Sequence, residues 1–228
     1  WLASEVADDE PRQNGKTLLF EARALAGMYL IKEPLIVWTA HQFKTAHLSF
    51  LSLKQRITDH DHLRKRVKAI RSSTHAHEIE LFNPYRMCTF LARSGGSGRG
   101  FAQVAPLLLD EAYALTPEEM AALVFAMSAA PNPQVWYASS APLPSSEVFR
   151  NICLRGRKGS ATLIYYEWSA RGERGDIEKL VRQNKALSEE QALTGEGRRL
   201  RRGLFVKVAE ANRAFNVRIS ETSILREL

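Results

Sequence analysis

The chain has 228 residues, enough for one large domain with a small appendage, and 45% of them are hydrophobic, as in a globular protein with a core. No stretch approaches the roughly 20 apolar residues that a membrane span needs, and no signal peptide is visible, so we expect no membrane partner. Cys88 and Cys153 lie outside any CxxC pair, so no zinc site is expected. The net charge of +7 is compatible with a polyanionic partner.

The first 90 residues alternate between helical and strand patterns. Apolar residues at helical spacing predict a helix over 17–31, and a β-rich apolar run predicts a buried strand over 35–39. A second helical region is predicted over about 41–70. Two strands are predicted over 78–82 and 86–90, joined by a turn at the Asn-Pro pair between them.

The second half begins, after a glycine-rich loop, with an apolar run that predicts a strand over 104–109. A helix is predicted over 116–127, with Thr116 as its N-cap, proline at the first helical position and glutamate three residues after the cap. Further strands are predicted over 134–138 and 162–168. From residue 171 onward the chain is charged, helical in pattern and poor in strand signals.

Strands separated by helices predict an α/β fold of three layers, in which a mainly parallel central sheet is flanked by helices. We place the core of this fold in residues 1–170. Residues 171–228 are predicted to form a helical linker or the start of a second subdomain.

The segment GKT at 15–17 matches the essential end of a phosphate-binding P-loop. Gly15 allows a tight turn, so that the amides of residues 12–15 form an anion nest at a helix N-terminus. Lys16 is placed to reach the β- and γ-phosphates of a nucleotide, and the Thr17 hydroxyl to hold Mg²⁺. The usual first glycine is replaced by Glu10, and residues 7–10 do not resemble the apolar strand expected before a P-loop.

An acidic pair, Asp110-Glu111, ends the apolar run over 104–109. In a P-loop ATPase the first carboxylate holds the magnesium ion and the second activates the attacking water. The pair also fits a plain helix start, where acids favour the helix dipole. Its combination with the upstream GKT is far more specific than either half.

Three further features fit phosphoryl transfer. Ser139-Ser140 follows the strand over 134–138, where small hydroxyls are placed to sense loss of the γ-phosphate, although a plain strand-to-loop transition fits as well. Arg12 lies inside the P-loop and is a candidate to stabilise the transferred phosphoryl group in cis. Arg99, in the glycine-rich loop, is either a candidate to do so in a neighbouring subunit or a solvent-exposed loop arginine. Two basic clusters, within 65–71 and 198–202, are either solvated helix faces or contacts to a DNA backbone.

Taken in order, these motifs resemble the ATPase domain of the large terminase subunit of tailed phages. The resemblance spans nearly the whole chain and is carried by PRQNGKT at 11–17, TAHQFKTA at 39–46, LARS at 91–94, GRGF at 98–101, LLDEAY at 108–113, WYASS at 136–140, EWS at 167–169 and RIS at 218–220.

The resemblance implies a P-loop NTPase fold of the additional-strand, RecA-like type, with ATP and Mg²⁺ as cofactors. It implies a motor that assembles as a pentameric ring on the portal protein of a procapsid in the host cytoplasm and pumps double-stranded DNA, with the small terminase subunit as a further partner. It matches Arg12 to the family's P-loop arginine, Arg99 to its intersubunit arginine and Ser139-Ser140 to its coupling motif. The family's nuclease domain would follow Leu228, so we expect this chain not to cut DNA.

Two alternatives stay open at this point. A helicase or translocase would share the P-loop, the acidic pair and the sensor, but it needs a second RecA-like domain, and no second repeat is visible. A degenerate P-loop module kept for assembly contacts is favoured by the acidic residues 8–10 and opposed by the presence of all four residues Lys16, Thr17, Asp110 and Glu111.

Overall fold

The computed structural model describes residues 3–94, 100–169 and 174–211 of the protein. The chain forms two compact units. The first comprises Trp1–Asp9 and Lys16–Tyr166, and the second comprises Glu10–Gly15 and Glu167–Leu228. Within the described part of the chain, no helix combines the length and the apolarity needed to cross a bilayer.

The first unit is built on one sheet of eight strands, whose order is β3-β4-β5-β2-β6-β7-β1-β8. The strands are β1 (Glu5–Asp9), β2 (Leu35–Ala40), β3 (Val67–Ser72), β4 (Ala76–Leu81), β5 (Arg86–Ala92), β6 (Val104–Leu109), β7 (Val135–Ser139) and β8 (Leu163–Glu167). Four pairs are parallel: β5 with β2, β2 with β6, β6 with β7, and β7 with β1. Two pairs are antiparallel: β3 with β4, and β4 with β5. The predicted mainly parallel α/β fold is confirmed, and β7 is the additional strand between β1 and β6.

Helices cover both faces of this sheet. They are α1 (Lys16–Leu25), α2 (Phe43–Thr58), α3 (Asp61–Arg64), α4 (Pro117–Met127) and α5 (Glu147–Lys158). Alternating side chains of β6 supply two separate cores, because Leu107 and Leu109 face α4 and α5 whereas Leu108 faces α1 and α2. The predicted capping box of α4 is present, with Thr116 and Glu119 each accepting a hydrogen bond from the other's backbone amide.

Two stretches of this unit differ from the prediction. The helix predicted over 17–31 changes at Leu25 into a π-helical turn, Ala26–Ile31, in which the chain passes closely over a buried ion pair at Gly27. The helical region predicted over 41–70 ends much earlier, and its last part is the edge strand β3. There, Arg71 pairs with Glu78 and Glu80 on β4, so tertiary ion pairs explain the dense charges that resembled a helix surface.

Residues 7–10 do not resemble the apolar strand expected before a P-loop, yet residues 7–9 lie within the strand β1. Asp8 and Asp9 are buried there, and the Asp9 carboxylate receives the Tyr165 hydroxyl at 3.3 Å and the Cys153 thiol at 3.7 Å. Buried acids persist in a strand when donors from distant parts of the chain satisfy them.

The second unit contains three helices among its described residues: α6 (Arg174–Lys185), α7 (Glu189–Ala192) and α8 (Gly195–Ala211). The Asn184 side chain joins α6 to α8 by donating to the carbonyl of Leu200 at 3.1 Å. These helices agree with the helical pattern of the sequence after residue 171.

Candidate nucleotide-binding site

The carboxyl ends of the five parallel strands meet at one edge of the sheet. Register places Asp9 beside Ser139, Tyr137 beside Leu109, and Leu109 beside Thr39. The acidic pair therefore follows a strand that ends next to the sensor strand, and the P-loop follows the next strand along. Ligands of open parallel sheets bind at this edge.

The loop of residues 10–15 joins β1 to α1. It contains two residues of positive φ, Gln13 at 64° and Gly15 at 100°, and the value at Gly15 lies where a side chain would strain the backbone. Arg12 and Gln13 are exposed and Asn14 is buried. The predicted phosphate-binding residues thus form a strand-to-helix loop with the backbone irregularity that an anion nest requires.

The two side-chain candidates of the P-loop, Lys16 and Thr17, open α1. Thr17 is exposed, so its hydroxyl is accessible to a ligand. Lys16 lies close enough to Asp110 for its positive charge to lower the pKa of that carboxyl group. The structure therefore brings together the lysine and the first carboxylate that the sequence places 94 residues apart.

Asp110 is a buried carboxyl group in a mixed electrostatic environment. Its pKa is raised to about 6 as the net result of several effects, of which burial is the largest. The charge of Glu111 raises the pKa further, whereas the hydrogen bond from the Glu111 amide and the charges of Arg93 and Lys16 lower it. The amide of Glu111 lies 2.8 Å from Asp110 Oδ1. A carboxylate that is costly to leave ionised and unpaired gains from a bound cation.

Glu111 adopts a left-handed backbone conformation, with φ 52° and ψ 45°. The turn separates its side chain from that of Asp110. Its Oε1 atom accepts a hydrogen bond from Thr45 Oγ1 at 3.4 Å, whereas Oε2 is buried and has no hydrogen-bond partner among the described residues. A buried acceptor without a donor is suited to bind a water molecule.

Ser139 connects the sensor strand to the segment after the acidic pair. Its hydroxyl accepts a hydrogen bond from the amide of Tyr113 at 3.0 Å and donates to the carbonyl of Ser140 at 2.7 Å. Ser139 is therefore hydrogen-bonded to the segment that follows Glu111.

Two residues near this pair were not assigned a role from the sequence. Thr45 contacts the Glu111 carboxylate, and Arg93 donates to the carbonyls of Asp110 and Glu111. The sequence did contain an indication for Arg93, because an arginine directly after the apolar run of β5 is at a position where a charged side chain needs a specific partner. Arg99, predicted to act between subunits, lies outside the described residues and stays a prediction.

The donor set at this edge fits Mg²⁺. This ion prefers oxygen ligands and is held in nucleotide sites by one or two protein groups together with phosphates and water. The Thr17 hydroxyl and the Asp110 carboxylate are such groups. In the described ranges, no cluster of three or more His, Cys, Asp or Glu residues forms a metal cage.

No family model and no curated protein matches the sequence. The fold is that of the P-loop NTPases, and solved structures share it. The large terminase of bacteriophage HK97 has a TM-score of 0.73 at 17% identity, covering 99% of this chain and 42% of that one. The ATPase domain of the Thermus phage P74-26 large terminase has a TM-score of 0.60 at 13% identity, covering 84% and 86%.

The large terminase of a thermophilic bacteriophage, solved in complex with ADP, has a TM-score of 0.57 at 13% identity, covering 90% of this chain and 46% of that one. This chain spans less than half the length of that ADP-bound protein and of the HK97 protein. The predicted resemblance to large terminases is confirmed at the level of the fold.

Proposed function

We propose that this chain is the ATP-hydrolysing motor domain of a phage terminase large subunit, which uses ATP to move double-stranded DNA into a procapsid. The observation that carries the proposal is the meeting of Lys16, Asp110 and Glu111 at one sheet edge, in a fold shared with terminase ATPase domains. Lysine and the two carboxylates are the groups that phosphoryl transfer to water requires.

The residues divide the chemistry as follows. Amides of the loop over 12–15 and the Lys16 ammonium bind the phosphates, while Thr17 and Asp110 are the residues that would hold Mg²⁺, which would supply positive charge to the phosphates when bound. Glu111 accepts a proton from the attacking water. Ser139 and Ser140 respond to loss of the γ-phosphate and transmit it through the amide of Tyr113.

Two arginines are assigned to stabilise the transition state of hydrolysis. Arg12 acts in cis from the P-loop and Arg99 in trans from a neighbouring subunit, because the charge that builds on the γ-phosphoryl oxygens needs a cation. This division requires a homo-oligomeric ring, which we propose is a pentamer on the portal protein, served by the small terminase subunit in the host cytoplasm. The isolated chain is then expected to hydrolyse ATP slowly.

The two alternatives have less support. A helicase would share the same motifs, but the solved structures of similar fold reported above are phage large terminases. The degenerate-module alternative drew on the acidic residues 8–10, but Asp8 and Asp9 belong to a regular strand paired with β7. The acidic stretch is therefore compatible with an intact P-loop.

The proposal is tested by Mg²⁺-dependent ATP hydrolysis and by nucleotide binding in the parent chain and in Lys16→Ala. Removing the ammonium that contacts the phosphates should weaken binding of Mg-ATP at least about tenfold and abolish measurable turnover. Lys158→Ala, which changes an exposed lysine at the end of α5, is the control and should behave as the parent. A parent chain that binds no nucleotide would support the non-catalytic module instead.

The two basic clusters differ in whether their side chains are ion-paired with acidic residues. This difference indicates which cluster has charge available to bind DNA. In the cluster over 65–71, Lys68 and Arg71 pair with Glu80, and the Arg66 guanidinium lies 5.0 Å from the centre of the Tyr29 ring. The second cluster lies on α8 and consists of four exposed arginines, Arg198, Arg199, Arg201 and Arg202. None of these four is ion-paired with a described residue, so their charge is available to phosphates.

We therefore propose that α8 contacts the DNA backbone, and we expect its substitution to change the salt dependence of binding. Each phosphate contact removed by arginine-to-glutamine changes in α8 should lower the slope of log K against log salt by about 0.9. Anisotropy titrations with a duplex of random sequence at several salt concentrations measure this slope. Lys68→Gln with Arg71→Gln is the control and should leave it unchanged, and a parent whose affinity does not vary with salt would contradict the proposal.

A further inference from the structure

Arg93, the first residue after β5, is an arginine whose side chain is completely buried. Buried arginines are ordinarily paired with a carboxylate. The nearest one here, that of Glu119, lies 3.9 Å from Nε. The guanidinium instead donates to two consecutive main-chain carbonyls, from Nη1 to Asp110 at 2.5 Å and from Nη2 to Glu111 at 2.9 Å.

These two carbonyls lie on either side of the Glu111 Cα, where the chain turns out of β6. Glu111 is held there at φ 52°, in the left-handed region that a residue with a side chain rarely occupies. Such a conformation persists only where the surroundings determine it. The Arg93 guanidinium contacts the carbonyls on both sides of this turn. The Asp110 carboxylate accepts from the Glu111 amide, and the Glu111 carbonyl also accepts from the Ala114 amide at 3.1 Å.

Arg93 is itself rigidly held. Its amide donates to the carbonyl of Ala40 at 2.9 Å, which extends the pairing of β5 with β2, and Nη1 also lies 3.4 Å from Thr39 Oγ1. A side chain with no exposed surface cannot reach a bound nucleotide, so any effect on hydrolysis must pass through the residues it contacts.

We propose that Arg93 is the positioning residue for Glu111. Its guanidinium fixes the carbonyls of Asp110 and Glu111, maintains the left-handed turn and thereby sets the direction of the Glu111 carboxylate toward the attacking water. The inference rests on the proposed function, because it assigns Glu111 as the base of ATP hydrolysis. It adds a link between β5, which leads into the glycine-rich loop, and the catalytic strand β6.

The test compares Arg93→Lys with Arg86→Lys. Arg86 lies at the other end of β5, is equally buried and also donates to main-chain carbonyls, including that of Met28 at 2.6 Å. Lysine keeps the charge but cannot bridge two carbonyls with a planar fork. Arg93→Lys should lower kcat about 10- to 100-fold and change the dissociation constant of Mg-ATP less than about threefold, since a small misplacement of a reacting group costs that much. Arg86→Lys should leave kcat unchanged.

Combination with Glu111→Gln separates positioning from general damage. If Arg93 acts through Glu111, Arg93→Lys should have no further effect on the residual rate of the Glu111→Gln chain. Equal fold-losses in both backgrounds would overturn the inference, as would a kcat for Arg93→Lys within threefold of the parent.

If Arg93→Lys does not fold, a milder variant still tests the inference. Thr39→Val removes only the hydroxyl near Nη1 and should lower kcat about threefold, again only when Glu111 is present. An unchanged kcat in a folded Thr39→Val chain would then overturn the inference. A parent chain that binds no Mg-ATP would overturn the proposed function and this inference together, whereas an active parent with an unaffected Arg93→Lys would overturn the inference alone.

Discussion

Replacing Glu111 by glutamine should lower the rate of ATP hydrolysis by about two to four orders of magnitude, the usual contribution of a general base. The amide has nearly the same shape as the carboxylate and can still accept the hydrogen bond from Thr45, but it cannot take a proton from water. Binding of Mg-ATP should change little, because Asp110, Thr17 and Lys16 are retained. Single-turnover hydrolysis and a separate nucleotide titration measure the two effects.

Two other carboxylates provide controls for this substitution. Glu118→Gln, in the exposed first turn of α4, should have the activity of the parent. Asp110→Asn should instead lower the affinity for Mg²⁺ and nucleotide together, because it removes the carboxylate proposed to hold the metal. Hydrolysis by Glu111→Gln within about threefold of the parent would mean that another group activates the water.

Much of the fold could be predicted from local pattern. The apolar runs of β2, β6 and β7 were correctly predicted as strands, because a central parallel strand is apolar on both faces. The acidic strand β1 could not be recognised, since Asp9 is satisfied by Tyr165 and Cys153 from far along the chain. The helix α5 was not predicted.

The residues of the site also fall into those that could be predicted from local sequence and those that could not. Short motifs predicted the P-loop, the acidic pair and the sensor, since each chemistry needs particular residue types at fixed spacing. The structure places Asp110 and Ser139 at the ends of neighbouring strands and Lys16 near Asp110. The supporting residues Arg93 and Thr45 belong to other strands and helices and meet the pair only in three dimensions. A sequence pattern carries no direct information on such contacts, so they become visible only with the fold.

The second large effect concerns stability and a buried ion pair at the other end of the sheet. Arg23 on α1 makes two hydrogen bonds to the Glu33 carboxylate, at 2.7 and 2.6 Å, and the two side chains are only 6% and 8% exposed. The Arg23 Nε atom also donates to Gln134, just before β7, at 3.2 Å. The pair packs against Gly27, where an added Cβ would lie 2.2 Å from a Glu33 oxygen.

Arg23→Met should lower the free energy of unfolding by about 3–5 kcal/mol, because it leaves the Glu33 carboxylate buried without its counter-charge. Urea unfolding at constant pH measures the change. Arg64→Met, which breaks an exposed pair with Asp61, is the matched control and should cost less than about 1 kcal/mol.

The double variant Arg23→Met with Glu33→Leu distinguishes loss of an attraction from burial of an unpaired charge. Removing both charges should recover much of the stability, since the main cost of the single change is the uncompensated carboxylate. Nucleotide affinity should be retained in the double variant, because this pair lies beside the amino end of β2 and the proposed chemistry lies at the carboxyl ends of the strands. A double variant as unstable as Arg23→Met alone would show that packing around Gly27, and not the buried charge, accounts for the loss.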